Sequence, residues 1–158
     1  MTPPRKVLMV CMGNICRSPT AEGVLRHKLR EAGLDQRVLV QSAGTHDYHA
    51  GEPPDRRAAA HALQRGYDLS AQRARQVAPE DFAAFDLILA MDHDNLERLQ
   101  ARCPPEHRAK LRRLTEFARH HRSPVVPDPY DGGAAGFERV PDLIEDACDG
   151  LVEHFRRA

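Results

Sequence analysis

The sequence predicts an α/β fold with a doubly wound sheet in a single domain. Three observations predict it. Short, continuously apolar runs at residues 7–10 and 87–90 have the character of strands buried on both faces. Segments with helical spacing of apolar residues alternate with these runs, the order expected of α/β architecture. The 158 residues suit one domain with an ordinary core, taken here as residues 1–158.

The elements follow in order. Residues 7–10 form the first strand. Ser18 reads as a helix N-cap with Pro19 at the first helical position. Ala21, Val24, Leu25, Leu29 and Ala32 then recur at helical spacing, and Gly33 ends the helix. Residues 38–43 read as a second strand. Two strands joined by a helix of this length make a parallel unit with a right-handed crossover. Residues 44–54 are a loop rich in Gly, His and Pro. Residues 55–65 read as a helix closed by Gly66, and a shorter helix is expected over 79–85. Residues 87–90 are the third strand. Residues 92–101 read as a helix with acidic residues at its start. The fourth strand is assigned to residues 110–117. A loop over 123–133 carries Asp128, Pro129, Tyr130 and Asp131. Phe137, Val140, Ile144, Ala147, Leu151 and Phe155 mark a C-terminal amphipathic helix.

Composition excludes several classes of function. Lys plus Arg total 23 and Asp plus Glu total 23, so no bulk charge points to nucleic acid or to an anionic membrane surface. No stretch approaches the roughly 20 apolar residues of a membrane span. The apolar run before Cys11 is too short for a signal-peptide core, so a cytoplasmic location is expected. Cysteines at 11, 16, 103 and 148 do not resemble a secreted disulfide framework.

Chemistry concentrates in residues 10–19, where Cys11 and Arg17 stand at the two ends of a short loop between a strand and a helix start. Cys11 falls at the carboxyl end of the first strand, where ligands bind in doubly wound folds. Such a loop wraps a tetrahedral oxyanion: backbone N–H groups point inward, the planar guanidinium forks two oxygens, and the sulfur sits beneath the phosphorus. An ordinary thiol is only a few per cent ionised at neutral pH. A helix N-terminus, inward N–H groups and a guanidinium all favour the thiolate. Ser18 can donate its hydroxyl to the sulfur. Gly13 and Asn14 suit a loop that needs positive φ. A leaving phenolate needs a proton, and Asp128, on a proline-flanked loop, is the candidate acid. After the first step it could return as the base that activates water.

Residues 11–18, Cys-Met-Gly-Asn-Ile-Cys-Arg-Ser, together with Asp128, Pro129 and Tyr130, resemble the low-molecular-weight protein tyrosine phosphatases of bacterial type. Residues 42–45, 51–55 with Arg57 and Ala58, and 90–92 with Asn95 and Leu96 resemble further segments of that family. The resemblance implies a four-stranded parallel sheet flanked by helices, and no metal or other cofactor. It implies hydrolysis of phosphotyrosine and small aryl phosphates through a phosphocysteine. Cys11 would be the nucleophile, Arg17 the phosphate clamp and Asp128 the general acid. Residues 12–16 and Ser18 would hold the phosphate, with Ser42 supporting Asn14. Ile15 and Tyr130 would line the slot for the substrate ring, with Tyr48 and Met12 at its rim. Isoleucine at 15 favours phosphotyrosine, because protein-arginine phosphatases of this fold have threonine there. The implied partners are phosphotyrosine proteins, a bacterial tyrosine kinase being one candidate. Two departures bear on substrate choice: Tyr48 stands where many members carry tryptophan, and Asp131 where eukaryotic members often carry a second tyrosine.

Some residues keep two readings. Cys16 is either a packed loop thiol or the partner of Cys11 in a reversible protective disulfide. Cys103 and Cys148 read as structural. His46 and His49 read as solvated loop histidines, without the partners a metal needs. Three rival functions fit less well. Arsenate reductases of the same fold need redox cysteines near positions 80–90, where this chain has none. A phosphotyrosine-binding module would lack the nucleophile or the acid. A thiol–disulfide switch would not need Arg17 or Asp128.

Overall fold

The strands read as apolar on both faces because helices cover both. The computed structural model describes residues 3–129 and 133–157. β1 (Arg5–Cys11) lies between β2 (Val38–Gly44) and β3 (Leu87–Ala90), and β4 (Leu111–Arg113) flanks β3. All three pairings are parallel, in the order β2-β1-β3-β4. This order makes β1 and β3 the pair at which the chain reverses its winding, and ligands bind beyond the carboxyl ends of such strands.

Side chains alternate along the central strands. Val7, Met9 and Cys11 join a cluster with apolar residues of α1 (Arg17–Glu31) and α5 (Gly133–Arg157). Ala62 of α2 (Arg56–Gln64) belongs to the same layer. Leu8, Val10, Ile88 and Ala90 face the other way. They meet Phe82 of α3 (Asp81–Ala84), Phe85 and Leu99 of α4 (His93–Arg102). Leu8, Met9, Ile88 and Leu89 are wholly buried. Each such side chain contributes about 1.5–3 kcal/mol relative to exposure, so the paired centre of the sheet is also its best anchored part. No helix among the described residues is long and apolar enough to cross a membrane.

The first three strands and the helices at 55–65 and 92–101 stand where the sequence puts them. Asp55 and Asp92 are the N-caps of α2 and α4, accepting backbone N–H groups of Arg57 and Ala58, and of Asn95. Four expectations need correction. The fourth strand does not span 110–117: only Leu111–Arg113 pair, between 3-10 turns at Pro105–Lys110 and Leu114–Phe117. The Glu116 carboxylate accepts the Arg113 N–H at 2.7 Å, which folds the chain back and ends the strand. Ser18 is not an N-cap. α1 begins at Arg17 with Cys16 at the cap position and no capping side chain, because the Ser18 hydroxyl is committed to the loop before it. α3 starts two residues beyond the expected position 79. The C-terminal helix starts at Gly133, ahead of its first expected apolar marker Phe137, and runs on through Pro141.

Candidate active site

The loop between β1 and α1 spends its acceptors and keeps its donors. Cys11 O accepts Thr45 N at 2.9 Å, Met12 O accepts His46 N at 3.0 Å, and Ile15 O accepts Asp55 N at 2.6 Å. Cys16 O accepts both the N–H and the hydroxyl of Thr20, at 3.2 and 2.8 Å. Among the described residues, no acceptor takes the N–H groups of residues 12–16. A loop whose carbonyls at Cys11, Met12 and Ile15 are taken by outside donors while its amides stay unspent can cradle an anion. Gly44, at the end of β2, allows the loop to settle there. A Cβ on it would lie 2.7 Å from Met12 O.

Asn14 turns the loop. Its φ of 58° is the sole positive value among the described non-glycine residues. Gly13, expected to share this role, does not adopt positive φ; a Cβ there would instead lie 3.0 Å from His49 Cδ2. Asn14 is fixed from three sides. Its Nδ2 donates to Ser18 Oγ at 2.8 Å and Ser42 Oγ at 3.0 Å, and its Oδ1 accepts the Arg75 N–H at 2.9 Å. Ser42 in turn donates to Glu22 Oε1 at 2.8 Å. Ser18 Oγ stands 3.1 Å from Cys11 Sγ. The side chains of Asn14 and Ser18 are buried behind the loop and are not among the residues lining the cleft.

Arg17 is buried at the start of α1. Its Nη1 donates to Asp92 Oδ2 at 2.6 Å and to Val126 O at 3.1 Å. Burial alone would weaken its hold on the proton, but the Cys11 sulfur and Asp92 outweigh that and raise its pKa. Val126 N is itself bonded to Met91 O at 2.7 Å, so the segment leading to Asp128 is stitched to the end of β3. A small cleft of about 90 Å³ is lined by Cys11, Met12, Gly13, Ile15, Cys16 and Arg17, with Tyr48, His49 and Asp128. Tyr48 is two-thirds exposed and stacks on His46, with centroids 4.8 Å apart. Tyr130 and Asp131 lie outside the described residues.

All four cysteines are free and buried. Burial pushes the Cys16 thiol far up, and the neighbouring Cys11 and Asp55 push it further, so Cys16 stays protonated at neutral pH. Burial likewise raises Cys103 and Cys148. Among the described residues, no cluster of three His, Cys, Asp or Glu side chains could hold a metal ion.

Sequence reasoning missed three participants. His49 was set aside as a solvated loop residue, yet it lines the cleft with Nδ1 held 3.2 Å from Glu52 Oε2. Asp92 reads as part of the acidic start of a helix and of the 90–92 segment that carries the resemblance, with no partner for its carboxylate. Its place just past the third strand, beside the first, was the available signal. Arg75 acts here through its backbone, which no side-chain motif announces.

Residues 6–158 match the family model described as low molecular weight phosphotyrosine protein phosphatase. A Synechocystis sp. protein carrying the same family's name is 48% identical over 148 residues, which is 93% of this chain and 94% of that one. The low molecular weight protein-tyrosine-phosphatase of Streptomyces coelicolor is 41% identical over 154 residues, covering 96% and 93% of the two chains. The crystal structure of an Entamoeba histolytica protein tyrosine phosphatase, with Hepes in its active site, superposes with a TM-score of 0.93 at 40% identity, covering 97% of each chain. Fold and sequence agree over nearly all of the chain, and the chain belongs to the low molecular weight phosphotyrosine protein phosphatases, a family of protein-tyrosine phosphatases.

Proposed function

We propose that this protein hydrolyses phosphotyrosine in proteins, and small aryl phosphates, through a phosphocysteine on Cys11. One observation carries the reading: the loop has the carbonyls of Cys11, Met12 and Ile15 taken from outside while the amides of residues 12–16 keep no acceptor among the described residues. A phosphoryl group seated there meets N–H dipoles and the Arg17 fork, both already in place before charge builds in the transition state. The Cys11 sulfur attacks phosphorus in line with the departing phenolate. Asp128, lining the same cleft, gives that oxygen its proton. In the second step Asp128 takes a proton from water, the water oxygen attacks phosphorus, and the sulfur leaves as thiolate, releasing inorganic phosphate.

The assignment of the nucleophile to Cys11 rather than Cys16 has physical support. Cys16 lines the cleft too, but burial and its neighbours hold its proton on. Cys11 has the Ser18 hydroxyl at 3.1 Å to donate to a thiolate. The apolar lining by Met12, Ile15 and Tyr48 suits an aryl ring. Phosphotyrosine proteins, a tyrosine kinase among the candidates, are the proposed partners, and the proposed location is the cytoplasm.

Cys11→Ser is the test. It should abolish turnover of an aryl phosphate, and acid-quenched wild-type enzyme should carry a phosphoryl group on the Cys11 peptide. Turnover retained by Cys11→Ser would refute the assignment.

A further inference from the structure

Residues 72–77 form a strap along the outer edge of the site. Gly44 N donates to Arg75 O at 2.8 Å and Val77 N to Gly44 O at 2.8 Å, so the strap adds one parallel bridge beside the end of β2. Ala74 exchanges hydrogen bonds with the 51–52 turn, at 2.8 Å from Gly51 N and 2.9 Å to Glu52 O. The strap therefore holds both the loop that carries Tyr48 and His49 and, through the Arg75 N–H, the Asn14 carboxamide. Its own anchor is a two-pronged ion pair. Arg75 Nη1 meets Asp81 Oδ2 at 2.9 Å and Nη2 meets Asp81 Oδ1 at 3.2 Å. Oδ2 also accepts the Ala78 N–H at 2.8 Å, closing the turn between them.

The polarity of the bonds running inward is consistent along their length. The Arg75 N–H donates to Asn14 Oδ1, and Asn14 Nδ2 donates to Ser18 Oγ at 2.8 Å. A thiolate can only accept, and of the two acceptors within reach of the Ser18 hydroxyl the sulfur, at 3.1 Å, is nearer than Ala43 O at 3.4 Å. Asn14 is also the residue in the left-handed region, which is held only where surroundings over-determine it. Of its three partners, Ser18 lies on α1 and Ser42 on β2, and both elements are fixed by the core. The third partner sits on the strap, which backbone bonds tie to Gly44 and to the 51–52 turn and which the Arg75–Asp81 ion pair braces in addition.

We propose that Arg75, braced by Asp81, is a positioning residue for the Cys11 sulfur, acting through its own backbone N–H, Asn14 and Ser18. The proposal rests on the reading of Cys11 as the nucleophile. It predicts that cutting the brace loosens anion binding and thiolate reactivity together, at a site the side chain never touches.

Arg75→Ala is the informative variant, because Asp81 has a second duty at Ala78 that Arg75 does not share. Vanadate inhibition and the rate of Cys11 alkylation by iodoacetate are measured on wild type, Arg75→Ala and Arg75→Lys. The expected result is that Arg75→Ala weakens vanadate inhibition by about tenfold and slows alkylation by a similar factor, the scale of a small misplacement of reacting groups. Arg75→Lys, which keeps one charged contact to Asp81, should recover most of both. If Arg75→Ala keeps wild-type inhibition and alkylation while only its melting temperature falls, the strap is merely structural and the proposal fails. Should Arg75→Ala not fold, Arg75→Gln is compared with Arg75→Lys by the same two readouts and the same criteria. A wild-type enzyme indifferent to vanadate would overturn the phosphatase reading itself, whereas a responsive wild type with an unchanged variant overturns only the brace.

Discussion

Arg17 is oriented before any anion arrives. Nη1 is committed to Asp92 and to the Val126 carbonyl, which leaves the rest of the guanidinium to present its fork. Asp92 is thus both the cap of α4, through Oδ1, and the brace of the proposed Arg17 clamp, through Oδ2. Asn caps helices about as well as Asp, so Asp92→Asn separates the two duties. The variant should keep its helix cap, lose some stability because the buried Arg17 charge is left less compensated, and lose about tenfold in vanadate and phosphate affinity, because orientation outweighs the release of the Arg17 charge from its partner. Tighter binding in Asp92→Asn would show that Asp92 chiefly competes with the ligand. Asp128 is tested by leaving group. Asp128→Asn should slow phosphotyrosine, whose phenolate needs a proton, by about 10²-fold or more, and aryl phosphates with acidic phenols far less. Equal slowing of both, measured as kcat/KM so that the second step they share drops out, would remove the acid role.

At the scale of elements, the contact between α5 and the 3-10 turn at Leu114–Phe117 decides how closely the last helix packs. Gly150 stands in mid-helix, where Ala normally gains about 1 kcal/mol over Gly. Here a Cβ would lie 1.8 Å from Phe117 O, with no flexible side chain to move aside. Overpacking of this kind costs about 3 kcal/mol, so Gly150→Ala should destabilise by about 2 kcal/mol, read from urea denaturation midpoints. An unchanged or raised midpoint would show that the turn shifts freely. The strands at 7–10 and 87–90 were legible because burial on both faces leaves an uninterrupted apolar run. The loop from Cys11 to Ser18 was legible because its chemistry is local in sequence. The end of β4 was not, since it depends on the Glu116 carboxylate reaching back to one N–H. Ser18 misled for a related reason: a hydroxyl that fits an N-cap was drawn instead to Asn14 and the sulfur. Asp92 and Arg75 gain their meaning only from partners 75 and 61 residues away in the chain.

At the scale of the molecule, the segment that carries Asp128 is tied to the body at both its approach and its arrival. At arrival, Val126 bonds Met91 and Arg17. At the approach, Asp146 of α5, buried, accepts the N–H groups of Arg119, His120 and His121 at 2.7–3.2 Å. Burial pushes the Asp146 carboxyl up, but the three amides outweigh it and hold it below the ordinary carboxylate range. A carboxylate with a lowered folded pKa contributes stability that is complete above its unfolded value, near 3.8, and is lost as pH falls through the lower folded value. The protein should therefore lose stability steeply below about pH 4. Asp146→Asn should be less stable by about 2 kcal/mol at neutral pH, the scale of hydrogen bonds to a charged group, and should show a shallower loss on acidification. Because the anchored segment runs on to the proposed acid, the folded variant at neutral pH should also lose more kcat/KM on phosphotyrosine than on aryl phosphates with good leaving groups. A parallel pH–stability curve for the two proteins would place the acid sensitivity elsewhere. An equal kcat/KM loss on both substrates would detach Asp146 from the placement of Asp128 as acid.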